Sequence, residues 1–251
     1  MDFLLRWLRG EMGVLGDYTY QSMHIITLIV VVIYLIVLAF IAKSNWEDKK
    51  KRALLKGIAI FHLVFEILWR LIFYFVCDYP LNELWPMYPC NLGGVIVPII
   101  CLLDFTYGKE MFYLFAFTGG IITFAIPDGI FNNSAFVFHI LKSILQHTGI
   151  LAIPLFEYCA GYFKSSIKTI FPTLLGLLIY VFNSGYFAYQ LGLEGDFMFL
   201  EMKLPCEISG VPQIITTTIA AGICLVILSI IVNPKEFINL VKQRNSNTPN
   251  N

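Results

Sequence analysis

The sequence carries few charges for its length. Only 14% of its 251 residues are charged, whereas 58% are hydrophobic and the mean hydropathy is +0.74. Soluble domains contain about 25% charged residues, so this composition excludes a soluble globular protein. Lysine and arginine together number 17, as do aspartate and glutamate, which gives zero formal net charge. We expect no nucleic-acid partner.

Motifs that bind nucleotides or metals are also missing. The sequence contains no GxxxxGK[ST] loop and no GxGxxG loop. Its six cysteines do not follow a metal-ligand spacing such as C-x-x-C. We therefore expect neither a metal site nor a cofactor.

Long apolar runs are what the sequence does contain. Each is near the length of about 20 residues that crosses a bilayer. Backbone polar groups in lipid must pair within the segment, so these runs are predicted helices. The sequence thus predicts an all-α, polytopic membrane protein with seven spans. The spans are Met23–Ala42, Ala53–Cys77, Asn91–Tyr107, Met111–Phe131, Phe136–Ala160, Ser166–Tyr189 and Val211–Val232.

Basic residues are unevenly distributed between the two sets of connecting loops. Twelve lie on one predicted side of the membrane and three on the other. Because cytoplasmic loops are enriched in lysine and arginine, the N-terminus is predicted outside and the C-terminus in the cytoplasm. The twelve are Lys43, Lys49, Lys50, Lys51, Arg52, Lys56, Lys109, Lys164, Lys168, Lys235, Lys242 and Arg244; the three are Arg6, Arg9 and Lys203.

Three regions follow from this topology. Residues 1–22 are predicted to form an extracytoplasmic segment with an interfacial helix, residues 23–233 the seven-helix domain, and residues 234–251 a polar cytoplasmic tail. We expect the end of the tail, "KQRNSNTPNN", to be disordered. Cys77, Cys90 and Cys206 fall on the outer side, where a disulfide among them is an open alternative.

Two predicted spans carry polar residues at helical spacing. In the second span, "FHLVFEILWRLIFYF", the polar residues lie at i, i+4 and i+8 and therefore on one helical face. A structural Glu–Arg pair and a charged cavity lining are both open interpretations of that face. The stripe of the fifth span favours a water-filled or substrate-lined interior. The stripes are His62, Glu66 and Arg70, then His139, Lys142, Ser143, Gln146 and His147. For Asp104 and Glu157, snorkelling toward the inner face is the simpler interpretation.

The stretch "NELWPMYPCNLGGVIVPII" places a cysteine where a polar loop becomes apolar. A thiol at a helix N-terminus is favoured as a thiolate by free N–H groups and the helix dipole. Gly93 and Gly94 would allow close approach of an acyl chain or another backbone. The alternative is that Pro89 and Asn91 begin a helix and Cys90 is simply a small packing residue.

Several segments together resemble a known membrane protein family. These are "YPCNLGGVIVPI", "FYLFAFTGGIITFAIPD", "SILQHTGILAIPLF" and "VFNSGYFAYQLGLEGDFMFLEMKLP". The chain resembles the bacterial YwaF family, whose eukaryotic relatives are the transmembrane protein 164 group. The residues that match the family pattern are His24, Cys90, Pro127 with Asp128, His147, Asn183 and the element Asp196–Pro205. Tyr88 before Pro89-Cys90, the split His147-Thr148-Gly149 and "DFMFL" depart from that pattern.

The resemblance implies a seven-helix protein similar to a cysteine-dependent acyltransferase of ether phospholipids. It implies Cys90 as nucleophile and His147 as base, membrane lipids as partners, and a bacterial plasma membrane location. A rise of about 1.5 Å per residue puts His147 about 16 Å below the outer end of its span, deeper than Cys90. Supporting or substrate-binding residues are expected to be His24, Glu66, Arg70, Asp128, Ser143, Gln146 and Asn183.

A transporter is the alternative that the sequence leaves open. In that interpretation a small solute or ion follows a polar path lined by His62, Glu66, Arg70, Lys142 and His147. Repeated halves, which many transporters have, are not visible in this sequence. The enzyme requires the Cys90 thiol and the transporter does not, so the thiol distinguishes the two.

Overall fold

The computed structural model describes residues 2–127, 129–193, 197 and 212–246. Within this part the chain is helical, and its β pairing is limited to an isolated bridge between Leu15 and Asn133. The all-α prediction is confirmed. The helices are α1 (Asp2–Arg9), α2 (Ser22–Lys43), α3 (Asp48–Val76), α4 (Pro89–Leu103), α5 (Thr106–Ala125), α6 (Phe138–Ala160), α7 (Ile170–Phe182), α8 (Ala188–Gln190), α9 (Gln213–Val232) and α10 (Pro234–Ser246). A π-helical turn, Asn183–Phe187, joins α7 to α8.

Four helical segments in the described residues are long and apolar enough to cross a membrane, which makes this a multi-pass membrane protein. They are Ser22–Lys43, Asp48–Val76, Ile167–Gln190 and Gln213–Val232. The remaining three predicted spans correspond to α4, α5 and α6. Helix α4 is apolar but has only 15 residues, and the other two are long but carry more polar side chains. The count of seven spans therefore stays a prediction.

Two predicted span boundaries differ from the helices. The third predicted span, Asn91–Tyr107, ends early, because Asp104 takes a left-handed conformation (φ 50°, ψ 40°) that terminates α4. The fourth, Met111–Phe131, lies too late in the sequence: α5 begins at Thr106 and stops at Ala125. Ile126, which precedes Pro127, has left the helical region there (φ −132°, ψ 77°), as expected for a residue before proline.

Apolar surfaces face outward, and the polar stripes of α3 and α6 face the inside of the bundle. Helix α4 packs against α3, α5 and α6 in the middle of the bundle. Helix α2 lies at the periphery, where Ile26, Val30 and Ile33 are exposed. Because lipid solvates these apolar surfaces, the arrangement keeps the polar stripes of α3 and α6 away from lipid.

The helices alternate in direction, and side chains tie their ends together at two opposite ends of the bundle. At the first, the α1 end, Arg9 Nε donates to the Val76 carbonyl at 3.0 Å and Trp7 Nε1 donates to the Phe136 carbonyl at 2.8 Å. At the second, the α10 end, Arg52 Nη1 lies 3.8 Å from Asp104 Oδ2. The start of α4 and Cys90 therefore lie at the α1 end.

The predicted disordered tail is partly helical. Helix α10 continues to Ser246, so residues 242–246 correct the expectation of disorder. Pro234 starts this helix without needing an N–H partner. Glu236 then accepts from Ser166 Oγ at 2.7 Å and from the Ile167 N–H at 3.2 Å, which attaches α10 to the loop before α7. Residues 247–251 lie outside the described part.

Candidate active site

The segment that precedes α4 is held in place by the π-helical turn after α7. Asn183 accepts from Trp85 Nε1 at 2.9 Å and donates to the Pro86 carbonyl at 2.7 Å. Ser184 Oγ donates to the Met87 carbonyl at 2.7 Å. Helical π turns occur frequently at functional sites. Asn183, a predicted site residue, thus fixes the position at which α4 begins.

Cys90 is the second residue of α4. Pro89 occupies the first helical position, which suits proline because that N–H would lack a helical partner. The N–H groups of Cys90 and Asn91 lie in the first turn of α4, where no carbonyl of the same helix can accept from them, and the positive end of the helix dipole lies there as well. The side chain is partly exposed. The local geometry suits an anion on this sulfur.

Asn91 connects the cysteine to a basic residue of α6. Its Oδ1 lies 3.9 Å from Cys90 Sγ and accepts from Lys142 Nζ at 3.2 Å. Lys142 Nζ also lies 4.3 Å from the centroid of the Trp69 ring. Lys142 is therefore the basic residue that shares a hydrogen-bonding partner with Cys90.

Glu66 and Arg70 form an ion pair within α3. Arg70 Nη1 lies 2.6 Å from Glu66 Oε2, which also accepts from Trp69 Nε1 at 2.9 Å. Arg70 Nε donates to the Leu84 carbonyl at 3.1 Å, in the loop before α4. The predicted Glu–Arg pair is therefore present, and it also anchors the loop that leads to Cys90.

Two glycines let Glu66 and His62 of the α3 stripe face the α6 side of the bundle, and a water-filled or substrate-lined interior stays a prediction. A Cβ atom at Gly94 would lie 2.7 Å from Glu66 Oε1 and 3.0 Å from Gln146 Nε2. A Cβ atom at Gly149 would lie 2.5 Å from His62 Nδ1. Both contacts require a residue without a side chain, so the glycines are part of the site's construction.

His147 has the hydrogen-bonding arrangement of a potential base. Its Nδ1 lies 2.7 Å from the Ser143 carbonyl, which can only accept, so the ring proton is on Nδ1. Nε2 then carries a lone pair, and this buried atom has no hydrogen-bond partner in the described part. Ser143, another predicted site residue, thus sets the tautomer through its backbone carbonyl.

Several other buried polar atoms in this region also lack protein partners among the described residues. Burying such a group unpaired costs about 1–3 kcal/mol, so a concentration of them indicates a place that water or a ligand occupies. Tyr180 belongs to this set, and its hydroxyl would be 3.3 Å from a Cβ at Gly93. The atoms are Glu66 Oε1, Arg70 Nη2, both polar atoms of the Gln146 amide, His147 Nε2 and the Tyr180 hydroxyl.

An open apolar cavity adjoins these residues on the outside of α3. Its volume is about 660 Å³, within the range of small-molecule sites. Arg70 supplies the one charged side chain among its lining residues and joins the cavity to Glu66. The lining residues are Arg70, Leu71, Tyr74, Phe75, Leu81, Leu84, Trp85 and Pro86.

The remaining predicted site residues lie apart from Cys90 or cannot be placed. Both ring nitrogens of His24 are paired: Nδ1 accepts from the Tyr20 N–H and Nε2 donates to the Phe124 carbonyl, each at 3.0 Å. It therefore joins α2 to the end of α5. Asp128 and the element Asp196–Pro205, except Phe197, lie outside the described residues. So does Cys206, whereas Cys77 and Cys90 are free thiols.

A second charged network, at the α10 end, is not evident from the sequence. Lys109 Nζ lies 2.6 Å from Glu157 Oε2 and also pairs with Asp104. Tyr113 donates to Glu157 Oε1 at 3.0 Å. Glu157 is only 1% exposed, so the snorkelling interpretation is wrong for it. The hydrogen bond from Lys109 holds the pKa of the Asp104 carboxyl below its ordinary value.

Metal-binding geometry does not appear in the part of the chain that the structure covers. No group of three or more His, Cys, Asp or Glu side chains there could hold an ion.

A sequence model of the TMEM164 family matches residues 19–232. The chain belongs to the TMEM164 family. Comparisons with curated proteins and with solved structures gave no match. The TMEM164 match extends from just before α2 to the end of α9 and includes every predicted site residue.

Within this TMEM164 protein, Glu66 and Gln146 flank Gly94 of the helix that carries Cys90, and Lys142 shares the Asn91 side-chain oxygen with Cys90. Cys90 and His147 are not hydrogen-bonded to each other, because Nε2 of His147 has no partner in the described part.

Three aromatic residues of this interior are absent from the sequence-based prediction. Trp69 was detectable, since it lies three residues after Glu66 and hence on the face of the α3 stripe. Tyr180 and Trp85 gave no such signal, because single aromatic residues in apolar sequence look like lipid-facing or packing residues.

Proposed function

We propose that this protein is a membrane-embedded lipid acyltransferase or acyl hydrolase with Cys90 as nucleophile and His147 as base. The observation that carries the proposal is the set of unpaired buried polar atoms around Gly93 and Gly94, next to a thiol at a helix N-terminus. Structural cores rarely leave so many groups unpaired in one place. A bound ester would accept from the donors of this set, Arg70 Nη2, the Gln146 NH2 and the Tyr180 hydroxyl, and the acceptors Glu66 Oε1 and His147 Nε2 would pair with water or an acceptor hydroxyl.

The reaction would proceed by covalent catalysis. The base takes the thiol proton, and the Cys90 thiolate attacks the carbonyl carbon of a lipid ester. Collapse of the tetrahedral intermediate breaks the ester C–O bond, and the departing alcohol takes the proton. A thioester remains on Cys90. The hydroxyl of a second lipid, or water, then attacks that thioester, forms the new ester or a free acid, and returns the proton to sulfur.

His147 suits the role of base by its tautomer. Nε2 carries the lone pair, and Nδ1 is occupied by the Ser143 carbonyl. Since Nε2 does not contact Cys90 in the described arrangement, the proton would pass through a water or after a side-chain rotation. Catalytic hydrogen bonds are often long before substrate binds, so this separation does not exclude the assignment.

Donors near the sulfur could stabilise the tetrahedral oxyanion. The N–H groups of Cys90 and Asn91 lie in the first turn of α4, and the Gln146 amide and the Tyr180 hydroxyl have no partner among the described residues. Preorganised donors of this kind commonly contribute the largest electrostatic share of catalysis in acyl transfer. The open apolar cavity beside Arg70 supports access of an acyl chain from the lipid phase.

We also propose that all seven predicted spans cross the membrane, with the α1 end outside. The alternation of helix directions and the two sets of end contacts support an odd number of crossings. The basic loops then lie in the cytoplasm, and the active site opens toward the outer leaflet of a bacterial plasma membrane. The YwaF relationship is part of the same proposal.

A transporter would need a polar path between the two charged regions. Between Gly94 and the Lys109 network, α4 and α6 instead present Val97, Ile150 and Ile153, each of which is at most 2% exposed. This apolar layer favours a closed site over a continuous path. The enzyme is therefore the function that we propose.

The experiment that tests the proposal measures acyl exchange on radiolabelled phospholipids. Purified wild-type protein is compared with Cys90→Ala, His147→Ala and, as a control thiol, Cys224→Ala. We expect Cys90→Ala to fall below about one thousandth of wild-type turnover with an unchanged unfolding temperature. Wild-type turnover in Cys90→Ala would refute the thioester mechanism. Loss of turnover in His147→Ala alone would indicate a water-activating hydrolase instead.

A further inference from the structure

Lys142 has no acidic partner in the described part of the chain. None of the ion pairs found there includes it. Its contacts are the Asn91 Oδ1 at 3.2 Å and the face of the Trp69 ring at 4.3 Å. The carboxylate of the same interior, Glu66, is already paired with Arg70 at 2.6 Å. One positive charge therefore remains uncompensated in this interior.

An uncompensated charge inside a membrane protein is costly and marks a function by default. The group placed to compensate it is the Cys90 thiol, because its sulfur and Lys142 Nζ lie against the same oxygen, Asn91 Oδ1. Asn91 thus orients both groups from one side. A positive charge beside a thiol favours the anionic form of that thiol.

We propose that Lys142 supplies the positive charge that stabilises Cys90 as a thiolate, so that α4 and α6 together form a cysteine–lysine ion pair. The inference rests on the proposed function, in which Cys90 is the nucleophile. The S–H bond breaks, its electron pair stays on sulfur, and the proton passes to the base that the proposed function assigns to His147. Lys142 keeps its three protons and is a positioning residue rather than the base.

Other charged and titratable groups surround the thiol and enter its pH dependence. Helix α3 contributes the Glu66–Arg70 pair, which is internally compensated. Helix α7 contributes the Tyr180 hydroxyl, which would lie 3.3 Å from a Cβ atom at Gly93, and α6 contributes His147 about one turn deeper than Lys142. Helix α5 presents Ala116 at Gly93. Of these groups, Lys142 alone adds an unbalanced positive charge.

The test measures alkylation of Cys90 by iodoacetamide across a pH series, quantified by mass spectrometry of the Cys90 peptide from full-length protein in nanodiscs. Lys142→Met removes the charge and keeps the chain length, Lys142→Arg keeps the charge, and exposed Lys164→Met is the control. We expect the midpoint pH of Cys90 alkylation to rise by about one to three pH units in Lys142→Met. Lys142→Arg and Lys164→Met should remain near wild type. Coincident wild-type and Lys142→Met profiles would overturn the proposal.

A reciprocal measurement avoids dependence on the folding of Lys142→Met. Since the coupling of two charges acts equally on both, removing the thiol must change the pH at which Lys142 loses its proton. In Cys90→Ala, Lys142 should be reductively methylated at lower pH than in wild type, and an unchanged profile would overturn the ion pair. Neither readout needs turnover, so shifted profiles support the ion pair even if the proposed acyl transfer fails. Unshifted profiles with active enzyme overturn the ion pair alone.

Discussion

Glu66 of α3 lies directly against Gly94 of α4, since a Cβ atom at Gly94 would be 2.7 Å from Glu66 Oε1. Glu66 cannot easily move away, because Trp69 and Arg70 hold its other oxygen at 2.9 and 2.6 Å. Helix α4, which carries Cys90, therefore packs closely against the charged face of α3 because Gly94 has no side chain.

Gly94→Ala should destabilise the protein by about 1–3 kcal/mol, the usual cost of overpacking. Gly119→Ala is the matched control, because Gly119 is also in a helix and a Cβ atom added there would meet nothing within 4 Å. That change should be neutral or stabilise by about 0.5–1 kcal/mol. Denaturant unfolding in detergent micelles measures both. Equal stability of the two variants would refute the close packing of α4 against Glu66.

The buried ion pair at the α10 end gives a second prediction. Lys109→Met should cost about 3–5 kcal/mol, because it leaves the Glu157 charge buried without its partner. Lys109→Met combined with Glu157→Gln should recover part of that loss, since the stranded charge is removed. The same unfolding assay measures the two proteins, with Lys168→Met as a control. A double variant less stable than Lys109→Met would contradict a direct pair.

The interior of the site is more predictable from the sequence than its edges. The i, i+4 and i+8 spacing of His62, Glu66 and Arg70 identifies one helical face, and the structure places that face against α6. Helix ends are less predictable. Asp104 ends α4 through a left-handed backbone conformation, and the apolar run continues past it without a break in composition.

Pairing between distant segments could not be predicted from spacing. Lys109 and Glu157 lie on different helices and far apart in the sequence, so neither suggests the other. For the same reason the α6 stripe includes Lys142 but gives no sign of its contact with Asn91. A fixed rise per residue predicts that His147 lies deeper than Cys90, and the two side chains are not hydrogen-bonded to each other in the described part.

Membrane topology gives a third prediction, testable in a cysteine-free background with an impermeant maleimide on intact cells. Leu81→Cys should be labelled, and Lys50→Cys should be protected until the membrane is permeabilised. Lys164→Cys distinguishes seven spans from four: it should be protected if α4, α5 and α6 all cross. Labelling of Lys164→Cys on intact cells would contradict the count of seven.

The most direct test of the central claim is a search for the acyl-enzyme itself. Purified protein is incubated briefly with a phospholipid that carries a defined acyl chain, quenched in acid, and digested for mass spectrometry. The account predicts that the acyl mass appears on the peptide containing Cys90 and is removed by neutral hydroxylamine, as expected of a thioester. The adduct should be absent in Cys90→Ser and should persist longer when no acceptor lipid is present. Turnover of the lipid with no acyl mass on Cys90, under the same quench, would contradict the account.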